Sequence, residues 1–186
     1  MLRMKIVTFG CIASILGAGT GHANCDNSSL QGQYAFKVQG ANFGVFDSMG
    51  TLHPFTSPLL VNAVGQFSFD GNGSLSRIDY NVSNGTPSIT AATPLTEDGF
   101  RTGQTGTYSI GDDCTGNLIL NVPGGRVIQV ALALADYGQG VLGVVKAEHA
   151  PSLPAALLPA GTACDSGCDL GDNILMEMTR NVLRRR

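Results

Sequence analysis

The sequence predicts an all-β protein: an antiparallel up-and-down meander closing into a barrel of roughly eight strands, with a helical or irregular C-terminal extension. Three observations carry this. Residues 66–69 and 77–80 alternate, Phe67 and Phe69 with Gln66 and Ser68, then Ile78 and Tyr80 with Arg77 and Asp79. Period 2 gives a strand one apolar and one polar face. Between them lies Asp70-Gly71-Asn72-Gly73, which tolerates the positive φ of a tight hairpin. Last, the 186 residues include 25 glycines and only 13% charged residues, and the glycines fall between apolar runs. That suits a meander with many turns better than a helical bundle or a disordered chain.

The N-terminus reads as an export signal. Arg3 and Lys5 give a basic start, residues 6–16 an apolar stretch too short to anchor in a bilayer, and Gly21-His22-Ala23 small residues three and one before a cut. Cleavage after Ala23 is predicted, so residues 1–23 are signal peptide and the protein is secreted or periplasmic. Cys25 lacks the small residues and leucine of a lipidation site. Export makes the remaining cysteines an even set in an oxidising compartment: Cys25, Cys114, Cys164 and Cys168. Of the three pairings, Cys25 with Cys114 and Cys164 with Cys168 are favoured. The second closes a short loop in which Gly167 can bend, and the first staples the mature N-terminus to a hairpin turn.

Residues 24–148 read as the barrel domain. The first strand runs from Gln31 to Gly40, with Tyr34, Phe36 and Val38 on its dry face. Residues 41–58 contain Gly44, Gly50, Pro54 and Pro58 and read as a long loop with room for a short strand at 43–46. Strands at 59–69 and 74–82 follow, then a loop at 84–104 rich in Thr, Pro and Gly. Four strands at 106–110, 117–122, 126–135 and 140–148 complete the meander, turning at 111–116, Pro123-Gly124-Gly125 and 136–139. Closure into a barrel would remove exposed edges. The strands at 127–134 and 141–147 are apolar on both faces and so call for cover on both. Residues 149–186 are read as the extension that provides it. Asp172 would cap a helix over 172–183, with Ile174, Leu175, Met178 and Val182 in one stripe. A final strand is the alternative.

Three stretches resemble small secreted bacterial barrels of the lipocalin-like or allene-oxide-cyclase-like type. They are Leu30-Gln31-Gly32-Gln33-Tyr34-Ala35-Phe36, the run from Gly65 to Gly73, and Gly106 to Leu118. The resemblance covers residues 30–146 and implies an eight-stranded barrel. Members of that type include ligand carriers and a plant cyclase. No catalytic residue of the cyclase matches a position here.

The net charge of −3 and the absence of a clustered basic surface disfavour nucleic acid as a partner. Arg184-Arg185-Arg186 reads as a solvated tail. No cofactor motif is found. Asp70-Gly71-Asn72-Gly73-Ser74 lacks the Gly and Glu that a calcium loop requires at its sixth and twelfth positions. A metal site from Cys164, Cys168 and His149 lacks a second ligand pair, and Asp165, Asp169 and Asp172 read as a solvated acidic loop. His53 and His149 are the histidines left after cleavage. Glu148 and His149, being adjacent on a strand, point to opposite faces and do not make an acid–base pair. The aromatic residues Tyr34, Phe36, Phe67, Phe69, Tyr80 and Tyr108 are expected to point inward. They either fill the barrel or line an apolar pocket, with tyrosine hydroxyls orienting a ligand. Two function classes follow. One is an exported, non-enzymatic barrel that binds a small apolar ligand or a partner. The other is an isomerase or cyclase of the allene-oxide-cyclase-like barrel type. The state of the interior separates them.

Overall fold

A computed structural model describes residues 24–89, 93–153, 155–159, 162, 164 and 166–181. The proposed signal peptide, residues 1–23, and the terminal arginines lie outside the described residues. The strands are β1 (Gln31–Phe46), β2 (Leu52–Asp70), β3 (Ser74–Ser83), β4 (Thr86–Pro87), β5 (Arg101–Ile110), β6 (Thr115–Val122), β7 (Arg126–Ala135), β8 (Gly140–Ala150) and β9 (Cys168–Arg180). Helix among the described residues is confined to three 3-10 turns, at Asn27–Ser29, Asp136–Gly138 and Ala155–Leu157. β4 is a two-residue addition to β3. The other eight strands each pair antiparallel with their chain neighbour, and β1 pairs with both β2 and β9. The sheet is therefore a closed eight-stranded up-and-down barrel, and no full-length strand is left with an open edge.

The expected C-terminal helix is instead β9. Ile174, Met176 and Met178 are buried while Asn173, Leu175, Glu177 and Thr179 are exposed, a period of two. Leu175, expected in a helical stripe, is on the outer wall. The physical reason is closure: without β9, both β1 and β8 would present unpaired backbone, and β9 satisfies both at once. The extension read at 149–186 thus contributes a stave of the barrel. β7 and β8 do not receive a helical cover. Their outer positions carry small side chains such as Ala133, or lie open like Leu142 and Val144.

The loop expected at 41–58 is mostly strand. β1 continues to Phe46 and β2 begins at Leu52. The register breaks between Asn42 and Gly44, opposite residues 55–58, so Pro58 sits where no ladder hydrogen bond is required.

One end of the barrel is closed by a plug. The ring of Phe69 meets those of Tyr34 and Tyr108 edge-on at 5.3 and 5.0 Å, and stacks on Phe67 at 5.5 Å. Leu30, just after the 3-10 turn at Asn27–Ser29, is fully buried beneath them. The hydroxyl of Tyr108 donates to the Leu30 carbonyl at 2.8 Å, and that of Tyr34 to the Gly138 carbonyl at 2.6 Å. Cys25 and Cys114 are joined, fastening the N-terminal turn to the β5–β6 hairpin. Cys164 and Cys168 are joined at the opposite end, beside Val45, Phe55 and Leu170. Both pairings match the expectation from the sequence.

Gly138 tests the plug. Its φ is +79°, and a Cβ there would lie 2.2 Å from the Ser29 carbonyl oxygen. Gly138→Ala is expected to lower stability by about 1–3 kcal/mol through backbone strain alone. Urea denaturation monitored by tyrosine fluorescence would measure it, and an unchanged midpoint would contradict this packing.

Candidate functional site

The opposite half of the barrel interior is polar, and the reason begins in the first hairpin. Residues directly opposite on paired strands share a face. Phe69 pairs with Leu75 and Phe67 with Arg77, so a hairpin that buries both phenylalanines must also bury Arg77, and two residues on, Asp79. The expected facing is therefore reversed in β3. Arg77 and Asp79 are inside, with side chains 7% and 0% exposed, and Ile78 and Tyr80 are outside. Tyr80 packs against Phe100 on the outer wall at 6.0 Å. It is the one proposed interior aromatic that does not point inward. Leu75, in phase with Arg77, was the signal for the true face.

Two register shifts bring further polar side chains to the same level, and a third turns an apolar one inward. The β3–β5 register shifts between Arg77 and Asp79, which places Gln104 opposite Arg77 and Arg101 opposite Asp79. In β8, Val141, Gly143 and Val145 are the inward positions, until a shift around Lys146 turns Glu148 inward and His149 outward. In β1 the shift after Asn42 does the same for Val45. Bulges re-aim side chains in this way. Glu148 and His149 do point to opposite faces, and His149 pairs with Asp169 on the outside at 2.9 Å.

Asp79 is the hub. Its Oδ1 accepts from Arg101 Nε at 2.8 Å and Gln104 Nε2 at 2.7 Å. Its Oδ2 accepts from Arg101 Nη2 at 2.6 Å and Arg77 Nη2 at 2.9 Å. Arg77 Nε in turn donates to Gln104 Oε1 at 2.9 Å. The Arg77 guanidinium carbon lies 5.5 and 5.7 Å from the ring centres of Phe36 and Phe67, within cation–π range. Nearer the mouth, Arg126 Nη1 donates to Glu148 Oε1 at 2.7 Å, and the Asn42 amide donates to Asp172 Oδ1.

The titration behaviour follows from burial and charge. Burial pulls Arg77 down to about 10, with Arg101 adding to the effect and Asp79 opposing it; Arg77 remains charged at neutral pH. Burial alone would raise the Asp79 carboxyl, but the hydrogen bond from Arg101 and the charges of Arg77 and Arg101 outweigh it and hold the carboxyl below its usual range. Asp172 goes the other way. Its Oδ2 is buried without a hydrogen-bond partner among the described residues. Burial first, and then the Glu148 carboxylate, push it up to about 7.

Folded Asp172 thus holds its proton to about pH 7, whereas the unfolded chain loses it near pH 4. The folded state binds more protons between those limits, so this group makes stability fall as pH rises from about 4 to 7, with no further change above. Asp172→Asn is expected to flatten that slope. Urea midpoints at pH 5 and pH 8 measure it, and an unchanged slope would show that Asp172 titrates normally.

Asn42, Arg77, Arg101, Arg126 and Glu148 line a cavity of about 60 Å³, walled on its other sides by Val38, Phe67, Ile128 and Met176. A water occupies roughly 10–15 Å³ on this measure, so the cavity is several waters in size and too small for an intact lipid. It opens toward the mouth. Two recesses of about 360 Å³ each share Ser83 and Arg126 with it. One has apolar walls from Phe55, Leu59, Leu153 and Leu157.

Of the aromatic residues expected to line a pocket, Phe67 touches the cavity and Phe36 backs Arg77. Tyr34 and Tyr108 belong to the plug, with hydroxyls engaged by backbone carbonyls. Arg101, Gln104, Arg126 and Asn42 went unnoticed in the sequence because they come from three strands, β1, β5 and β7, that lie far apart in the chain. Cys164 and Cys168 bond to each other rather than forming a metal site with His149, and no three His, Cys, Asp or Glu side chains converge among the described residues. No protein-family model, curated protein or solved structure matches this chain.

Proposed function

We propose that this protein is an exported, non-enzymatic binding barrel, secreted or periplasmic, which takes a small ligand with an apolar portion through its open end. The observation that carries the reading is the asymmetry of the interior. One end is filled by aromatic side chains. The other holds a charged cavity that shares Asn42, Ser83 and Arg126 with an adjoining apolar recess. Ligand sites are typically concave and apolar with a few convergent polar groups. Export is supported by the signal-like N-terminus and by two disulfides, which persist in oxidising compartments. The lipocalin-like character of the barrel belongs to this proposal as well.

Native mass spectrometry of protein purified from its host tests the reading. A small molecule released on denaturation is expected. Protein that carries nothing and also fails to bind apolar dyes would overturn it.

One observation favours a barrel isomerase or cyclase as a second reading. Asp172 is a carboxyl able to exchange a proton near neutral pH, placed beside Glu148 close to the cavity. Incubation of the recovered ligand with excess protein separates the two readings. An isomerised product supports the enzyme, and unchanged compound supports the carrier.

A further inference from the structure

The charged half of the interior is not balanced. Arg77, Arg101 and Arg126 face Asp79 and Glu148. The ion pair of Arg126 with Glu148 is neutral by itself, and Asp79 neutralises one of the two guanidiniums that bind it. One positive charge is left over in a setting where Arg77 and Arg101 have side chains only 7% and 12% exposed. An uncompensated buried charge is unfavourable and draws a counter-charge. Asp172, when ionised, is the one further carboxylate close to the group among the described residues.

We propose that the ligand is a monoanionic amphiphile. Its carboxylate lies at Arg126 and Arg101, and its tail lies along Phe55, Leu59, Leu153 and Leu157. This rests on the binding-barrel reading and names the ligand class. Arg126 is the charged residue shared by the cavity and both recesses, alongside Ser83, and Arg101 lines the cavity and one of them. Of the Arg126 donors, Nη1 is engaged by Glu148, and its side chain is 40% exposed toward the mouth, which leaves its outer edge open to a second carboxylate in the forked geometry guanidinium favours. A cationic head would meet three guanidiniums. A neutral head would leave the surplus charge in place. A dianion would be repelled by Glu148 and Asp79. The apolar recess begins where the charged groups end, so head and tail are addressed by adjoining walls.

Asp172 competes with such a ligand for the same positive charge. The groups that face it are Asn42 from β1, Glu148 from β8 and Arg126 from β7, with Arg77, Asp79 and Arg101 across the barrel. Asp169 on its own strand is exposed and paired with His149, and His53 on β2 is paired with Asp47 at the rim. Protonated, Asp172 leaves the surplus charge for the ligand; ionised, it cancels it.

The test uses octanoate, octan-1-ol and octyltrimethylammonium, measured by isothermal titration at pH 6 and pH 8.5, where octanoate is ionised throughout. Octanoate is expected to bind at least tenfold more tightly than octanol at pH 6, the ammonium not to bind, and octanoate to weaken several-fold at pH 8.5. Asp172→Asn should hold the pH 6 affinity at pH 8.5. Arg126→Gln should weaken octanoate about tenfold and leave octanol unchanged, with a thermal melt showing that it is folded. Asp172→Asn, which preserves shape and removes one buried charge, keeps the test decisive if Arg126→Gln does not fold. Octanol binding as tightly as octanoate would overturn the charge assignment and leave the binding barrel standing. Octanoate affinity that is equal at both pH values in the native protein would remove Asp172 from the site. Failure of all three probes, with nothing carried by host-purified protein, would overturn the binding barrel itself.

Discussion

Asp79→Asn is expected to destabilise the barrel by about 3–5 kcal/mol, the usual consequence of leaving buried charge without its partner. The substitution keeps the shape of the side chain. It removes the one carboxylate that accepts from both Arg77 and Arg101, so two guanidiniums then face each other inside the barrel. The Asn amide would also point a donor at Gln104 Nε2 or at an arginine, whichever way it is turned. Urea denaturation at pH 7 should show the loss as a lower midpoint. A change below 1 kcal/mol would mean that solvent entering from the mouth screens these charges and that the network is not structural. The pH dependence has a defined sign. Because the carboxyl is held below its ordinary range, its contribution is complete above about pH 4 and is lost as pH falls through the folded-state value. The native protein should lose stability on acidification there, and Asp79→Asn should not show that part of the loss.

Replacing Cys25 and Cys114 with serine is expected to remove about 4 kcal/mol. The bridge joins residues separated by 89 positions, and the loop-closure entropy it withholds from the unfolded chain is of that size on the chain-entropy account. The native contacts add to this. The bridge holds the turn at Asn27–Ser29 in place, and with it the carbonyls that receive the Tyr108 hydroxyl. The Cys164–Cys168 bridge spans only four positions and its removal should cost about half as much. Thermal melts of the two double-serine variants, each with and without reductant, give the comparison. Equal losses would show that loop length does not control the effect.

The architecture was readable in the sequence wherever a local pattern reports the local face. The first hairpin, the β5–β6 and β6–β7 turns and the alternation of Leu118, Leu120 and Val122 all say strand without outside help. The Cys164–Cys168 pairing follows from the same local logic, whereas Cys25 and Cys114, 89 positions apart, were only the favoured partners among the possible pairings. The C-terminal strand was harder, because Ile174, Leu175 and Met178 satisfy a helical stripe as well as a strand would. Only the demand of β1 and β8 for a shared neighbour decides between them, and that demand is a property of the closed sheet. The site was least readable. Hydrophobic patterning assigns Arg77 and Asp79 to solvent, and it cannot know that Gln104 and Arg101 will lie opposite them on the paired strand β5. Glu148 faces inward because of an extra residue near Lys146 that no periodicity reveals. Polar groups placed against the pattern are where sequence-level consistency is expected to fail at functional positions.

The pairing of β1 with β9 also fixes when the ring can be completed. Tyr34 lies opposite Arg180, and the Asn181 amide donates to the Gln33 carbonyl at 2.8 Å. The earliest and latest staves therefore share one seam. Until the polypeptide has emerged through residue 180, two raw borders remain, each a template for another unfinished copy. Such contacts between sequence-distant segments form slowly. Moving the chain ends to the β3–β5 connection by circular permutation, with a short linker across the old seam, would make that joint local. The permuted chain should refold faster and aggregate less during refolding than the natural order.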